Sequence, residues 1–414
     1  MENDVTSADD GEARAPEPGS FRADVRRWLA ARLPPRRDEE GTAPLEFMGV
    51  GEGLDALPRA RRYLATLAER GWGAPGWPKK YGGAGLSSGD ILILTEELRA
   101  FETPDLYMFS VGLRHAGAAI LEHGSEEQKV AWLPRIATGE DIWCQIFSEP
   151  GAGSDLAGLA TRAAREPGGW RLSGQKVWVS RAHAATWGII LARTDPIVPK
   201  HRGITAFVLD MSAEGIDVRP LKQINGDEHF NEIFLDSVWI PDTHRLGQVG
   251  NGWRVAVSML AGERTQTGGA GAAFGDDHAL ISRLIELVRH SNADHDLVVR
   301  QELAEVIIQA RLAERTSARA VAAAMAGKSV GAEGSGDKLR KAATLKRAAA
   351  LALSILGPAG ATDGEWQNLF LSAPSMSIRG GTDEILLNVI GERVLGLPPE
   401  PRVDKEIPFS EVPR

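Results

Sequence analysis

The residues best suited to chemistry form one loop near the middle of the chain. Residues 148–155 read Ser-Glu-Pro-Gly-Ala-Gly-Ser-Asp. A loop of small residues and hydroxyls lets backbone amides approach a flat or phosphorylated ligand closely. Residue types alone leave a second interpretation open, in which the loop is only a turn within a β-sheet and binds nothing.

The segments around this loop indicate a sheet that would hold it in place. Residues 170–172 and 176–180 alternate between apolar and polar side chains, which is typical of half-buried strands. We predict that they form a hairpin with its turn at Ser173-Gly174. A β domain over residues 143–248 is predicted, because further strand-like segments occur at 203–209, 216–218 and 230–241.

Helical periodicity flanks the β domain on both sides. Ser125 and Gln128 form the pattern of a capping box, one of the helix starts within an N-terminal α-helical domain predicted for residues 19–142. Long alanine-rich helices predict a C-terminal bundle. The other predicted bounds are a disordered tail at 1–18, the bundle at 249–399 and a charged, proline-containing tail at 400–414.

The composition is that of a globular chain with an acidic balance. The 414 residues carry a formal charge of −9 with a sequence pI near 5.6, which argues against nucleic acid as a partner. The one cysteine, Cys144, allows no internal disulfide and no cysteine-based metal site, so we expect a cytoplasmic location and no metal. No apolar run is long enough for a membrane span, and the N-terminus does not look like a signal peptide.

Several motifs at consistent spacing resemble the acyl-CoA dehydrogenase family. The 148–155 loop followed by Gly-x-Lys-x-Trp-Val-Ser at 174–180 resembles the family's central flavin-binding segment. Further similarity lies at 81–83, 124–129 and 380–385. The resemblance implies a multidomain α+β fold, with a helical domain, a β-barrel or sheet domain and a four-helix bundle.

The resemblance also implies a reaction and its partners. In this family, FAD takes a hydride from the β carbon of an acyl thioester while a carboxylate removes the α proton. The implied substrate is an acyl-CoA, with a carrier-protein thioester left open, and the implied electron acceptor is an electron-transferring flavoprotein. A homodimer or homotetramer is expected, and a heterotetramer with a related chain is the alternative.

The resemblance offers two positions for the base. Gly380 occupies the more common position, before the last helix, so that site cannot act. A minority branch places the glutamate before an arginine on the first bundle helix, where this sequence has Glu263-Arg264. On a helical projection Trp253, Val257 and Leu260 define an apolar stripe with Glu263 at its border. The residues alone favour a surface Glu-Arg pair on the helix flank, and it is the resemblance that makes Glu263 the predicted base. Glu149 and Asp155 are rival acids, and the resemblance implies a structural role for Glu149.

Ligand contacts can be carried over position by position. The resemblance implies flavin contacts from Gln145 to Ser148 and from Trp178 and Ser180, and adenosine-side contacts at the last helix. The full set of implied FAD contacts is Gln145, Ile146, Phe147, Ser148, Gly153, Ser154, Trp178, Ser180, Arg289, Gln301, Gly357, Thr382 and Glu384. The implied substrate contacts are Ser154 and Arg264.

Two departures from the family pattern keep other interpretations open. The Arg-x-x-Phe-Gly motif that reaches the FAD of a neighbouring subunit is missing after Arg289, and residues 357–360 replace a more usual double glycine. These variations resemble a branch that includes enzymes of bulky CoA thioesters and pairs of unlike subunits. A flavin monooxygenase or oxidase on the same fold, or a non-catalytic subunit of a heteromer, are the alternatives to a dehydrogenase.

Overall fold

The computed structural model describes residues 19–36, 54–265, 277–325 and 334–413. The tail predicted to be disordered, residues 1–18, lies outside the described residues.

The N-terminal domain is helical, and its helix starts follow local sequence signals. Ser125 accepts a hydrogen bond from the Gln128 amide, and the Gln128 side chain accepts one from the Ser125 amide, so the predicted capping box is confirmed. A π-helical turn over 111–116 joins two of the helices. The helices are α1 (Phe21–Ala30), α2 (Leu57–Ala68), α3 (Ser88–Leu98), α4 (Tyr107–Ser110), α5 (Gly117–His123) and α6 (Glu126–Ala137).

The middle of the chain forms one mostly antiparallel sheet. The strands are β1 (Trp143–Ile146), β2 (Arg162–Glu166), β3 (Gly169–Ser180), β4 (Trp187–Arg193), β5 (Ile204–Asp210), β6 (Ile216–Leu221), β7 (Phe230–Pro241) and β8 (Arg245–Leu246). Their order across the sheet is β6-β7-β3-β2-β4-β5-β8, and β1 pairs with β4 in parallel. The side chains of β4 and β5 are almost all buried, so these two strands form the centre of the domain.

The predicted hairpin turn at Ser173-Gly174 is wrong. Residues 169–180 form the single long strand β3, which pairs with β2 on one side and β7 on the other. Gly174 lies at a register shift with φ of +155°, and a Cβ there would meet Thr161 Oγ1 at 2.6 Å. A glycine within a strand often marks such a bulge and close approach. The real turn is at 167–168, between β2 and β3.

The C-terminal region is a helical bundle. Its helices are α7 (Gly252–Thr265), α8 (Asp277–His290), α9 (Leu297–Met325), α10 (Gly334–Leu356), α11 (Glu365–Ser372) and α12 (Asp383–Arg393). The predicted order of helical domain, β domain and helical bundle is therefore confirmed, although the short helix α11 was not predicted.

A shared core places the first bundle helix against the sheet. Ala256 and Met259 of α7 are fully buried in the same apolar cluster as Trp143 of β1 and Ile189 of β4. Burial of such side chains is the main stabilising contribution to a contact of this kind. The predicted stripe through Trp253, Val257 and Leu260 is wrong in phase, since Val257 is 43% exposed. The buried face of α7 is rotated toward Ala256.

Candidate functional site

A buried lysine within β3 contacts the segment that directly follows β1. Lys176 is fully buried, and its ammonium donates a hydrogen bond of 2.9 Å to the Phe147 carbonyl. The Val177 amide donates to the Ser148 carbonyl at 3.0 Å. The structure therefore brings two of the predicted groups together. The predicted flavin contacts in these two strands are Gln145, Ile146, Phe147, Ser148, Trp178 and Ser180.

Glu149 is committed to holding this junction. Its carboxylate accepts hydrogen bonds from the Ala160 amide at 2.7 Å and the Thr161 amide at 2.9 Å, and lies 2.8 Å from the Lys176 ammonium. Burial acts to raise the pKa of Glu149, but Lys176 and these donors outweigh it and hold the pKa below its usual range. A carboxylate so stabilised in its charged form is a poor proton acceptor. The structural role implied for Glu149 agrees with this geometry.

Asp155, the other rival acid, is also engaged. Its carboxylate oxygens lie 2.9 and 3.0 Å from the Lys200 ammonium. Its neighbours Gly153 and Ser154 are exposed on the same loop, so they are accessible to a ligand. The loop is therefore exposed at Ser154, and the next residue, Asp155, holds it through the ion pair with Lys200.

Trp178 is turned outward by a bulge in β3. The pairing with β7 shifts register between Lys176 and Val179, and Trp178 adopts φ of +59°. A left-handed conformation costs a non-glycine residue about 1–3 kcal/mol and is concentrated at functional sites. As a result the indole ring is 59% exposed, in edge contact with Phe230 at 5.8 Å. An exposed aromatic side chain two residues before Ser180 in the same strand suits the flat ring system of FAD, so these residues fit that cofactor.

The start of α12 is a second ligand-binding candidate. Thr382 is the N-cap and accepts a hydrogen bond from the Ile385 amide at 3.2 Å. Gly380 and Gly381, with φ of +63° and +93°, bring the chain into the helix, and Lys338 of α10 donates to the Gly381 carbonyl. Amides at a helix N-terminus attract anions such as a pyrophosphate. Glu384 is exposed in the first turn, and hydrogen bonds from its own amide and from Thr382 lower its pKa.

The remaining predicted ligand residues lie on α7 and on the outside of the bundle. Arg289 near the end of α8 and Gln301 on α9 are exposed, and Gly357 follows α10 with φ of +55°. Exposed positions are those from which a side chain could reach a second subunit. The backbone of Glu263 and Arg264 belongs to α7, but the side chains of residues 261–265 lie outside the described residues.

A polar cluster beside Trp178 was not anticipated from the sequence. His229, which precedes Phe230, is 6% exposed, and its Nδ1 lies 2.7 Å from Asp227. Burial lowers the pKa of His229, with Asp227 opposing, so the ring is neutral at pH 7. The Arg181 guanidinium lies 5.0 Å from the centre of the Tyr107 ring, and the Arg181 amide donates to the His229 carbonyl at 2.7 Å.

One nitrogen of the His229 ring makes no hydrogen bond to the described residues. This nitrogen, Nε2, is buried and has no hydrogen-bond partner among the residues that the structure describes. Buried polar atoms in native proteins are nearly always satisfied, so such an atom at the edge of a ligand site is available to a bound molecule. The only signal in the sequence is a histidine next to two acids at the start of a strand, which is too common a pattern to single out.

No group of histidine, cysteine, aspartate and glutamate side chains suited to a metal ion occurs among the described residues. No helix in the described part of the chain is long and apolar enough to cross a membrane.

Comparison with known families gives a consistent result over most of the chain. Three sequence models match in order: acyl-CoA dehydrogenase N-terminal domain at residues 16–140, middle domain at 144–238 and C-terminal domain at 250–395.

Two curated relatives come from Mycobacterium tuberculosis. Acyl-CoA dehydrogenase FadE34 is 41% identical over 91% of this chain, which spans about half (51%) of FadE34. Acyl-CoA dehydrogenase IpdE1 is 36% identical over 92% of this chain and 98% of its own length.

Two similar solved structures each carry the names of two proteins. The Tcur3481-Tcur3483 steroid ACAD superimposes with a TM-score of 0.71 and 27% identity, covering 92% of this chain and 97% of that one. The ChsE4-ChsE5 complex from Mycobacterium tuberculosis has a TM-score of 0.70 and 28% identity, covering 91% and 97%.

Proposed function

Because this chain belongs to the acyl-CoA dehydrogenase family of oxidoreductases, we propose that it removes the α and β hydrogens of an acyl-CoA thioester with FAD as oxidant. The exposed Trp178 ring, two residues before Ser180 in β3, is the observation that supports flavin binding in this chain. FAD, when bound, supplies an acceptor for the β hydrogen as hydride.

In this proposal the chain's own residues divide the remaining work. Glu263 takes the α proton, and Arg264 lies beside it in the sequence. Trp178, Ser180 and the 145–148 segment hold the isoalloxazine ring, and Thr382 at the α12 N-terminus receives the adenosine side of the cofactor. Ser154 contacts the pantetheine arm of the substrate.

The substrate class follows from the relatives rather than from a described pocket. We propose a bulky or ring-containing acyl-CoA, since one similar structure is described as a steroid ACAD. An electron-transferring flavoprotein is the proposed electron acceptor.

There is one second candidate function: a subunit of a heteromer that completes the active site of a partner chain. It is favoured by Gly380 at the usual position of the base and by the two protein names that each of the similar structures carries.

Anaerobic titration of the purified protein tests this proposal. A yellow protein whose flavin absorbance bleaches on addition of butyryl-CoA, octanoyl-CoA or a steroid side-chain CoA thioester is the expected result. Bleaching by the steroid thioester alone would identify the substrate class. Colourless protein that gains flavin only with a related chain would support the subunit role, and oxygen uptake without anaerobic bleaching would contradict the dehydrogenase.

Replacing Trp178 by alanine should weaken flavin binding without unfolding the sheet. Loss of a stacking face removes an interaction of about 0.5–1.5 kcal/mol, so the Kd for FAD should rise roughly three- to tenfold. The Kd can be measured by fluorescence titration of apoprotein. Trp239→Ala is the matched control, because Trp239 is also exposed (44%) on the neighbouring strand β7. Equal effects of the two substitutions would exclude the proposed flavin position.

A further inference from the structure

The chain beyond α12 turns back onto the sheet domain. We call residues 400–413 the C-terminal strap. Pro408 forms an isolated antiparallel bridge with Pro199, and the Phe409 amide donates to the Val198 carbonyl at 3.0 Å. The Phe409 side chain is buried. These contacts fix the strap on the loop between β4 and β5, so the predicted tail at 400–414 is ordered over its described residues.

The strap contributes one carboxylate to a three-residue ion network. The Lys200 ammonium lies 2.5 Å from Asp404 of the strap and 2.9 Å from Asp155. The Lys200 side chain is only 9% exposed and that of Asp404 28%, so their ion pair is partly desolvated and stronger than one at the surface, whereas the Asp155 carboxylate is 59% exposed. Asp155 directly follows Ser154, the predicted pantetheine contact. The strap is therefore linked through one side chain to the candidate substrate loop.

A second cation joins the strap to the same loop. Arg193 is buried, and its guanidinium donates to the carbonyls of Ala157 at 2.6 Å, Leu159 at 3.0 Å and Lys200 at 2.7 Å. The centre of this guanidinium lies 3.6 Å from the centre of the Phe409 ring, a close cation–π contact. Phe409 thus packs over the Arg193 guanidinium, which holds the 157–159 turn through its hydrogen bonds.

The loop is held at Ala152, which is buried and pairs with Glu149 through two backbone hydrogen bonds, whereas the residues around Ser154 are exposed. A Cβ added at Gly151 or Gly153 would meet no atom within 4 Å, and residues 153–155 are exposed. Small residues in open space have high conformational freedom unless a neighbour holds them. The anchors at Lys200 and Arg193 therefore limit where the Ser154 hydroxyl and amide can lie.

We propose that the C-terminal strap positions the 151–159 loop for the pantetheine arm of a CoA thioester, acting through Lys200 and Arg193. This inference rests on the proposed function. Asp404, Phe409, Lys200 and Arg193 are positioning residues, because they act through the loop and not on the reacting atoms. The strap follows α12, whose N-cap is Thr382, so it also connects the bundle to the substrate side of the sheet.

Asp404→Asn in the holoenzyme tests the proposal. Loss of one charged hydrogen bond to Lys200 should raise the Kd for free coenzyme A, measured by isothermal titration, roughly tenfold. The KM for octanoyl-CoA should rise by a similar factor, with kcat and flavin content unchanged. Asp404→Glu should recover most of the affinity, because it restores the carboxylate. Glu411→Gln, an exposed carboxylate of the same strap, should leave both constants unchanged.

The outcomes distinguish a strap that positions the 151–159 loop from a strap that only stabilises the fold, and both from failure of the proposed function. Unchanged coenzyme A affinity in Asp404→Asn would overturn the inference, and so would a loss of flavin or of thermal stability with no change in Kd. Phe409→Ala provides a second, independent perturbation and should raise the same Kd. Because the titration uses coenzyme A and needs no turnover, it gives an answer even if no thioester bleaches the flavin.

Discussion

Glu263→Gln is expected to leave the flavin bound and to slow its anaerobic bleaching by an acyl-CoA by a factor of roughly 10²–10⁴. The α proton of a thioester is weakly acidic, so its removal needs a positioned base. An amide keeps the size of the side chain but has no basic oxygen at neutral pH.

The structure supports position 263 through the backbone of α7. Val255, Ala256 and Met259 are fully buried against the sheet. Position 263 follows Met259 by four residues and Ala256 by seven, so it shares their side of the helix. The sequence had instead predicted that position 263 lies at the border of the apolar stripe of α7.

Stopped-flow absorbance with butyryl-CoA, octanoyl-CoA and the steroid thioester measures this effect. Glu263→Asp should retain part of the rate, since it keeps a carboxylate on a shorter side chain. Glu214→Gln, an exposed glutamate in the turn between β5 and β6, is the control and should bleach at the wild-type rate. Bleaching of Glu263→Gln at that same rate would mean that another group, on this chain or on a partner, takes the proton.

The sequence anticipated the parts of the fold that depend on local patterns. The capping box at Ser125, the domain order and the long strand ending at Pro241 follow from periodicity and helix signals. The resemblance to the acyl-CoA dehydrogenase family, and with it the class of enzyme, is confirmed by the matching family models and relatives.

The features that sequence reasoning missed depend on contacts between distant segments. The bulge that exposes Trp178 arises from how β3 pairs with β7, and Gly174 marks closeness to Thr161 instead of a turn. The phase of α7 is set by the core beneath it. Nothing local to residues 400–413 indicates that Phe409 would cover Arg193. The predicted roles of individual ligand residues remain predictions.

Lys176→Met is expected to lower the free energy of unfolding by roughly 3–5 kcal/mol, because it leaves the Glu149 carboxylate buried beside the loop without its charged partner. Burial lowers the pKa of Lys176 to about 8, with Glu149 opposing, so the ammonium still carries its proton at pH 7. The Phe147 carbonyl also loses its donor in this variant. Urea denaturation followed by circular dichroism measures the loss, and the exposed Lys80→Met, which removes a surface ion pair with Glu126, should have little effect.

The same pair gives a pH dependence whose sign can be worked out. The folded pKa of Glu149 lies below its ordinary value of 4.5, so its contribution to stability is complete above pH 4.5 and is lost as the pH falls through the lower, folded value. Glu149→Gln should remove this part of the acid-side loss, so the difference in stability between wild type and variant should shrink as the pH falls below 4.5. In the double variant Lys176→Met/Glu149→Gln the buried charge is gone, and it should be more stable than Lys176→Met alone. A loss of stability in the double variant equal to the sum of the two single losses would show that the pair is not coupled as the 2.8 Å contact requires.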